Sequence, residues 1–163
     1  MASLNDALVR QLLEGRYIAA FGTHSPDGSI HMVSVWYWFD GRNIYVATSS
    51  RSRKARNIQF RPQASIMIDS RDPAASCGVN IAGEAKTLSG ALAAEKREQV
   101  HRKYLSASAL ADPAVGPIFS AFDDVVIQIT PATVIAWDMR MIDDQFFGGG
   151  IGRNPSYLLP LLR

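Results

Sequence analysis

Two short turn signals set the architecture of this chain. Ser25-Pro26-Asp27-Gly28 and Asp40-Gly41 are turn-forming sequences, and they bracket the extended stretch Ser29 to Phe39. A strand that begins and ends in tight turns lies antiparallel to its neighbours, here Tyr17 to Thr23 before it and Asn43 to Ala47 after it. Within the stretch, His31, Val33, Val35, Tyr37 and Phe39 alternate with Met32, Ser34, Trp36 and Trp38. Both sets are largely apolar, whereas a strand with one wet face is polar on that face. It is therefore expected to be covered twice, by a barrel core on one side and by a partner subunit or ligand on the other.

The remaining chain adds strands and a few helices. Leu4 to Leu13 has helical apolar spacing that ends at Gly15. Ala64 to Asp69 and Gly78 to Leu88 read as strands, the latter with Val79, Ile81 and Gly83 on one face, and Asp72-Pro73 begins the loop between them. Gly90 to Tyr104 reads as a helix carrying Glu98 and Arg102 at the favourable four-residue spacing. Ala107 to Phe122, punctuated by Pro113 and Pro117, is short helix or loop, and Asp123 to Trp137 supplies one or two strands divided at Pro131. About six strands grouped by hairpins, with about three helices, favour a mainly β (α+β) antiparallel barrel over a doubly wound sheet. At 163 residues the chain is expected to be a single domain, with a core over about 16–137 and a tail over 138–163. In that tail Gly148-Gly149-Gly150 lacks dinucleotide-fingerprint spacing and reads as a flexible connector. The apolar end, Tyr157, Leu158, Leu159, Leu161 and Leu162, is expected to dock on the domain or on a second subunit.

The chemistry concentrates in Thr48-Ser49-Ser50-Arg51-Ser52-Arg53-Lys54-Ala55-Arg56-Asn57, the end of a strand, a hydroxyl-rich turn and the start of a helix. Ser50 or Ser52 can serve as N-cap. A helix N-terminus disfavours cations, yet Arg51, Arg53, Lys54 and Arg56 gather there with no acid between Thr48 and Ile68. A bound phosphate resolves that conflict, because free amides, hydroxyls and guanidinium groups converge on it.

Composition narrows the alternatives. The 17 basic and 15 acidic residues give a net charge of +2, too balanced for general attraction to nucleic acid, and the aromatic-plus-basic arrangement of an RNA-binding sheet is missing. The single cysteine, Cys77, excludes an intrachain disulfide and a cysteine-rich metal site and fits a reducing, cytoplasmic setting. No apolar run reaches the roughly 20 residues of a membrane span, and polar residues interrupt the first segment where a secretory leader would be apolar. His24 and His101 read as surface residues, and no spacing links them, His31 or Cys77 into a nucleophile triad or a metal motif. Trp38 reads as core, and Trp36 as the better candidate to line a pocket.

Tyr17 to Leu88 resembles the pyridoxamine 5'-phosphate oxidase-like superfamily of flavin-binding split barrels. The resemblance rests on Thr48 followed by Ser52-Arg53-Lys54, on Asn57, on the Arg61-Pro62 break before strand Ala64 to Asp69, and more loosely on Gly83-Glu84-Ala85 and Ile135-Ala136-Trp137. It implies a six-stranded split barrel, a homodimer and FMN lying across the dimer interface. Thr48, Ser49, Ser52, Arg53 and Lys54 would hold the phosphate. Val33, Ser34, Val35 and Trp36 would run beside the isoalloxazine ring, and Trp137 would serve as core or ring contact. His31 and Trp36 stand where the vitamin B6 oxidases carry an arginine and a substrate lysine, and Arg140-Met141-Ile142-Asp143-Asp144 lacks their Arg-x-His-Asp-Arg motif. The resemblance thus implies hydride transfer between FMN and a small substrate other than pyridoxamine phosphate, flat or apolar beside the Trp36 indole. Its alternatives are the deazaflavin coenzyme F-420, with Arg51 or Arg56 meeting a longer tail, and non-catalytic storage of a flavin or of haem, with His31 as axial ligand.

Overall fold

The computed structural model describes residues 2–72 and 76–159. Helix α1 (Ala7–Glu14) leads into β1 (Ala19–His24), β2 (Ile30–Val35), β3 (Trp38–Phe39) and β4 (Ile44–Thr48). Helix α2 (Arg53–Phe60), β5 (Gln63–Asp69), β6 (Cys77–Leu88) and α3 (Gly90–Tyr104) follow. Two short helices, α4 (Ala107–Ala111) and α5 (Gly116–Phe122), precede the last strand β7 (Val125–Asp138), and α6 (Met139–Phe147), α7 (Gly150–Arg153) and a 3-10 turn (Pro155–Tyr157) end the described chain. Pro73, which the loop after Asp72 was expected to include, and Leu161 and Leu162 of the apolar end lie outside the described residues.

The strands form one sheet of seven in the order β2-β1-β5-β6-β7-β4-β3, every pairing antiparallel. Its two edge strands, β2 and β3, are joined by Trp36 and Tyr37 alone. So short a link spans about 10 Å at most, so the sheet has to curl until its edges nearly meet. The product is a barrel split along that seam. The expected single strand from Ser29 to Phe39 is in fact these two, which raises the expected six strands to seven. The alternation nevertheless runs through the break. Val35, Tyr37 and Phe39 point into the core, with Phe21, Val46, Ile66, Ile81 and Ile127. Trp36 and Trp38 point outward beneath α3, against Tyr45, Val100 and Val126. Double cover therefore comes from α3 at this end of the stretch, whereas Met32 on the same outer face is 66% exposed.

Helix α1 plugs the barrel with Val9, Leu12 and Leu13, each such burial stabilising by about 1.5–3 kcal/mol. Its last carbonyls are met from the barrel side: the Tyr37 hydroxyl donates to Leu12 O at 2.6 Å and to Gly15 O at 3.2 Å, and Lys103 Nζ donates to Leu13 O at 2.8 Å.

Pro131 does not divide the last strand. Strand β4 pairs with β7 only over Val125–Ile129, so on that side Pro131 has no ladder to interrupt. On the other side the register shifts at Ala82/Gly83, where Gly83 faces Pro131 and Ala82 faces Thr133. Ala132 is the extra residue of a β-bulge, the setting in which a sheet tolerates proline. A Cβ on Gly83 would sit 2.0 Å from Thr130 O, so the bulge requires glycine there.

The triple glycine is a turn between two helices. Gly148 and Gly149 adopt left-handed conformations, and the Asp143 carboxylate accepts from the amides of Ile151 and Gly152 at 3.0 and 2.9 Å. Leu158 lines a small cavity with Met139, Ile142, Phe147 and Ile151, while Tyr157 and Leu159 stand exposed. The apolar end therefore docks by one residue on α6 and α7. No helix among the described residues is long and apolar enough to cross a membrane.

Candidate functional site

The seat forms where β4 delivers Thr48 to the start of α2. Ser52 is the N-cap: its hydroxyl oxygen accepts from Ala55 N at 3.2 Å and from the Thr48 hydroxyl at 3.1 Å. With both lone pairs engaged, the Ser52 O–H is left to donate outward. The amides of Arg53 and Lys54, in the first turn, have no acceptor among the described residues. Ser49 shapes the turn, its hydroxyl accepting from Arg51 N at 3.2 Å and its carbonyl from Ser52 N at 2.9 Å. Behind the seat, buried Asn57 donates from Nδ2 to the hydroxyls of Thr23 at 3.0 Å and Ser25 at 3.4 Å, and Arg53 Nη2 donates to Ser25 at 3.1 Å. The first β-turn and the helix are thereby locked together.

Two acids absent from the local sequence close the site from the far end of the chain. Asp124 accepts from the Ser50 amide and hydroxyl, both at 2.6 Å, and these bonds hold its carboxyl below the usual range. Asp123 lies 2.8 Å from Nε2 of His101, which is 3% exposed. His101 is therefore buried, contrary to the surface position expected of it, because its ring packs edge-on to Phe119 and its nitrogen has a carboxylate partner. Spacing carried no signal for this pairing, since 22 residues separate the partners.

A cavity of about 340 Å³ opens beside the seat, lined by Ile18, Ser34, Val35, Trp36, Ala47, Thr48, Lys54, Val100, Phe119 and Asp123. The structure thus brings Ser34, Val35, Trp36, Thr48 and Lys54 together in the lining of one cavity. Val33 packs against the core instead. Strand β2 is an edge strand, so on its outer side it pairs with no other strand among the described residues. Trp36 is stacked with Tyr104 at 5.0 Å and Phe119 at 5.6 Å, so its ring is already engaged. Trp137 does not reach the seat in this chain. It lies over Gly78 at the opposite end of β7 from Val125, the partner of Thr48.

Lys54 is half-buried, forms no hydrogen bond or ion pair among the described residues, and has its pKa lowered by burial, an effect the Asp123 carboxylate partly opposes. Burial first, then the Arg53 and Lys54 charges, lower the pKa of His31. A pair of free amides, an outward hydroxyl and an unpartnered half-buried ammonium are what a phosphate monoester would satisfy. The residues present fit the phosphate of FMN. Among the described residues no cluster of His, Cys, Asp or Glu could hold a metal ion.

Fold and seat together define a split-barrel protein with a basic, hydroxyl-lined turn at a strand-to-helix junction. A family model described as pyridoxamine 5'-phosphate oxidase matches residues 6–138, and the chain belongs to that family. No curated protein matches significantly. Among solved structures, a conserved hypothetical protein from Mycobacterium tuberculosis superposes with a TM-score of 0.70 at 21% identity, over 87% of this chain and 88% of that one. An F420 reductase is similar with a TM-score of 0.59 at 22% identity, over 77% and 94%. A haem storage protein from Vibrio cholerae gives 0.60 at 16% identity, over 78% and 90%. At these identities the likeness is one of fold.

Proposed function

We propose that the chain is an FMN-binding oxidoreductase that acts as a homodimer and transfers hydride between the flavin and a small substrate other than pyridoxamine phosphate. The observation that carries this reading is Lys54, a half-buried cation without a hydrogen-bond or ion-pair partner among the described residues, which lines the cavity and belongs to the same first turn of α2 as the free amides. FMN, when bound, supplies the hydride chemistry. Thr48 orients Ser52; Ser52, Arg53 and Lys54 bind the phosphate; Ser34 and Val35 flank the ring with the free edge of β2. A second copy covers the exposed Ile30 and Met32 on β2, and only across such an interface could Trp137 approach the flavin.

The test is fluorescence titration with FMN. Charge-assisted bonds contribute about 1.5–3 kcal/mol each, so a folded Arg53→Ala/Lys54→Ala protein should bind roughly 10²–10⁴-fold more weakly. Unchanged affinity in that variant would place the seat elsewhere. The deazaflavin F-420 is a second reading, favoured by Arg51 and Arg56, both exposed and neither in an ion pair among the described residues, with Asp124 near enough to feel the Arg51 charge. Tighter binding of F-420 than of FMN, lost on changing Arg51 and Arg56, would select it. A haem absorption band that depends on His31 would instead select storage.

A further inference from the structure

The cavity holds a charge that the phosphate seat does not use. Asp123 stands in its wall, with one carboxylate oxygen fixed by the buried His101. The other oxygen makes no hydrogen bond among the described residues. The same lining includes the apolar Ile18, Val35, Trp36, Val100 and Phe119. Lys54, the cation in the same cavity, does not pair with it, although the carboxylate makes itself felt in the lysine's pKa. That second oxygen is an acceptor for a positive or N–H donor group entering the cavity. An anion at the seat would occupy Lys54 and leave Asp123 for a second group. The cavity therefore carries two opposite charges, Lys54 for a phosphate and Asp123, with the rings of Trp36 and Phe119 in the same lining, for something else.

We propose that Asp123 is the specificity-determining residue of a substrate subsite that takes a small flat molecule bearing an ammonium, amidinium or comparable N–H donor group. His101 is its positioning residue, holding the carboxylate toward the cavity. The inference deepens the oxidoreductase reading and rests on it for the word substrate, but the recognition chemistry stands on the cavity alone.

Three probes share a ring and differ in charge: benzamidine, benzamide and benzoate. Each is titrated by ligand-observed NMR into the full chain with inorganic phosphate present to occupy the seat. Benzamidine should bind at least roughly tenfold more tightly than benzoate, and Asp123→Asn should remove that preference while changing benzamide less than about twofold. Equal binding of the three probes to the wild-type protein, or benzamidine binding that Asp123→Asn leaves intact, overturns the subsite. The wild-type charge series decides the matter even if the variant fails to fold. Parallel FMN titrations separate the two readings. Asp123-dependent benzamidine binding without FMN binding leaves the subsite and removes the flavin, and FMN binding without charge preference does the reverse.

Discussion

Lys54 carries the most information of any side chain in this protein, because its surroundings work against its charge. Burial lowers its pKa in the free chain, and a phosphate beside it would raise that pKa again. The proton is then held more tightly in the complex than in the free protein, so affinity is full below the free-state pKa and falls as pH rises through it. Titrations above neutral pH, where FMN phosphate is fully ionised, should show weakening at alkaline pH, and Lys54→Arg should flatten the curve because a guanidinium stays charged. An equally steep decline in the arginine variant would mean that another group titrates. Much of this was legible beforehand: a basic helix start lacking acids was already an anomaly that an anion could resolve. His101 and Asp123 were not legible. Nothing in the spacing of a histidine on one helix and an aspartate before the last strand announces that a barrel will bring them to 2.8 Å.

Strands β6 and β7 show how an element survives a residue that ought to break it. Pro131 looked like a divider because proline cannot donate to a ladder, but sequence alone does not tell which side of a strand is paired. Here β4 ends before it and the bulge at Ala132 absorbs it on the other side. The arrangement depends on Gly83, whose missing Cβ makes room for the Thr130 carbonyl. Gly83→Ala should lower stability by about 1–3 kcal/mol or more, read as a drop in denaturant midpoint at unchanged slope. A midpoint within error of wild type would show that the bulge can shift to accept a methyl group. The split between β2 and β3 was hidden for a related reason. Period-two alternation continues through Trp36 and Tyr37, so the pattern kept its phase while the backbone changed partner.

The barrel is a single curled sheet whose outer face is only partly covered by its own helices. Alternation and turn signals were enough to read it as antiparallel and barrel-like, because each strand needed only its nearest neighbour in sequence to be identified. The closure and the pairing of β1 with β5 and of β4 with β7 were not readable locally, since their registers join residues far apart in the chain. Ile30 and Met32 are 67% and 66% exposed on the free edge strand, a position natural sheets normally protect. If a second copy covers them, Met32→Glu should convert a dimer into a monomer in sedimentation experiments and weaken FMN binding with it. A wild-type chain that sediments as a monomer would exclude the interface. The bond between Ser50 and Asp124 has a consequence for the life history of the protein. It joins residues 74 positions apart, and such contacts form only once the intervening chain has been ordered. The seat is thus finished when the barrel is finished. A ligand held there has nothing to grip on a half-made chain, so it acts by slowing the escape of completed molecules from the native state rather than by hurrying nascent ones toward it.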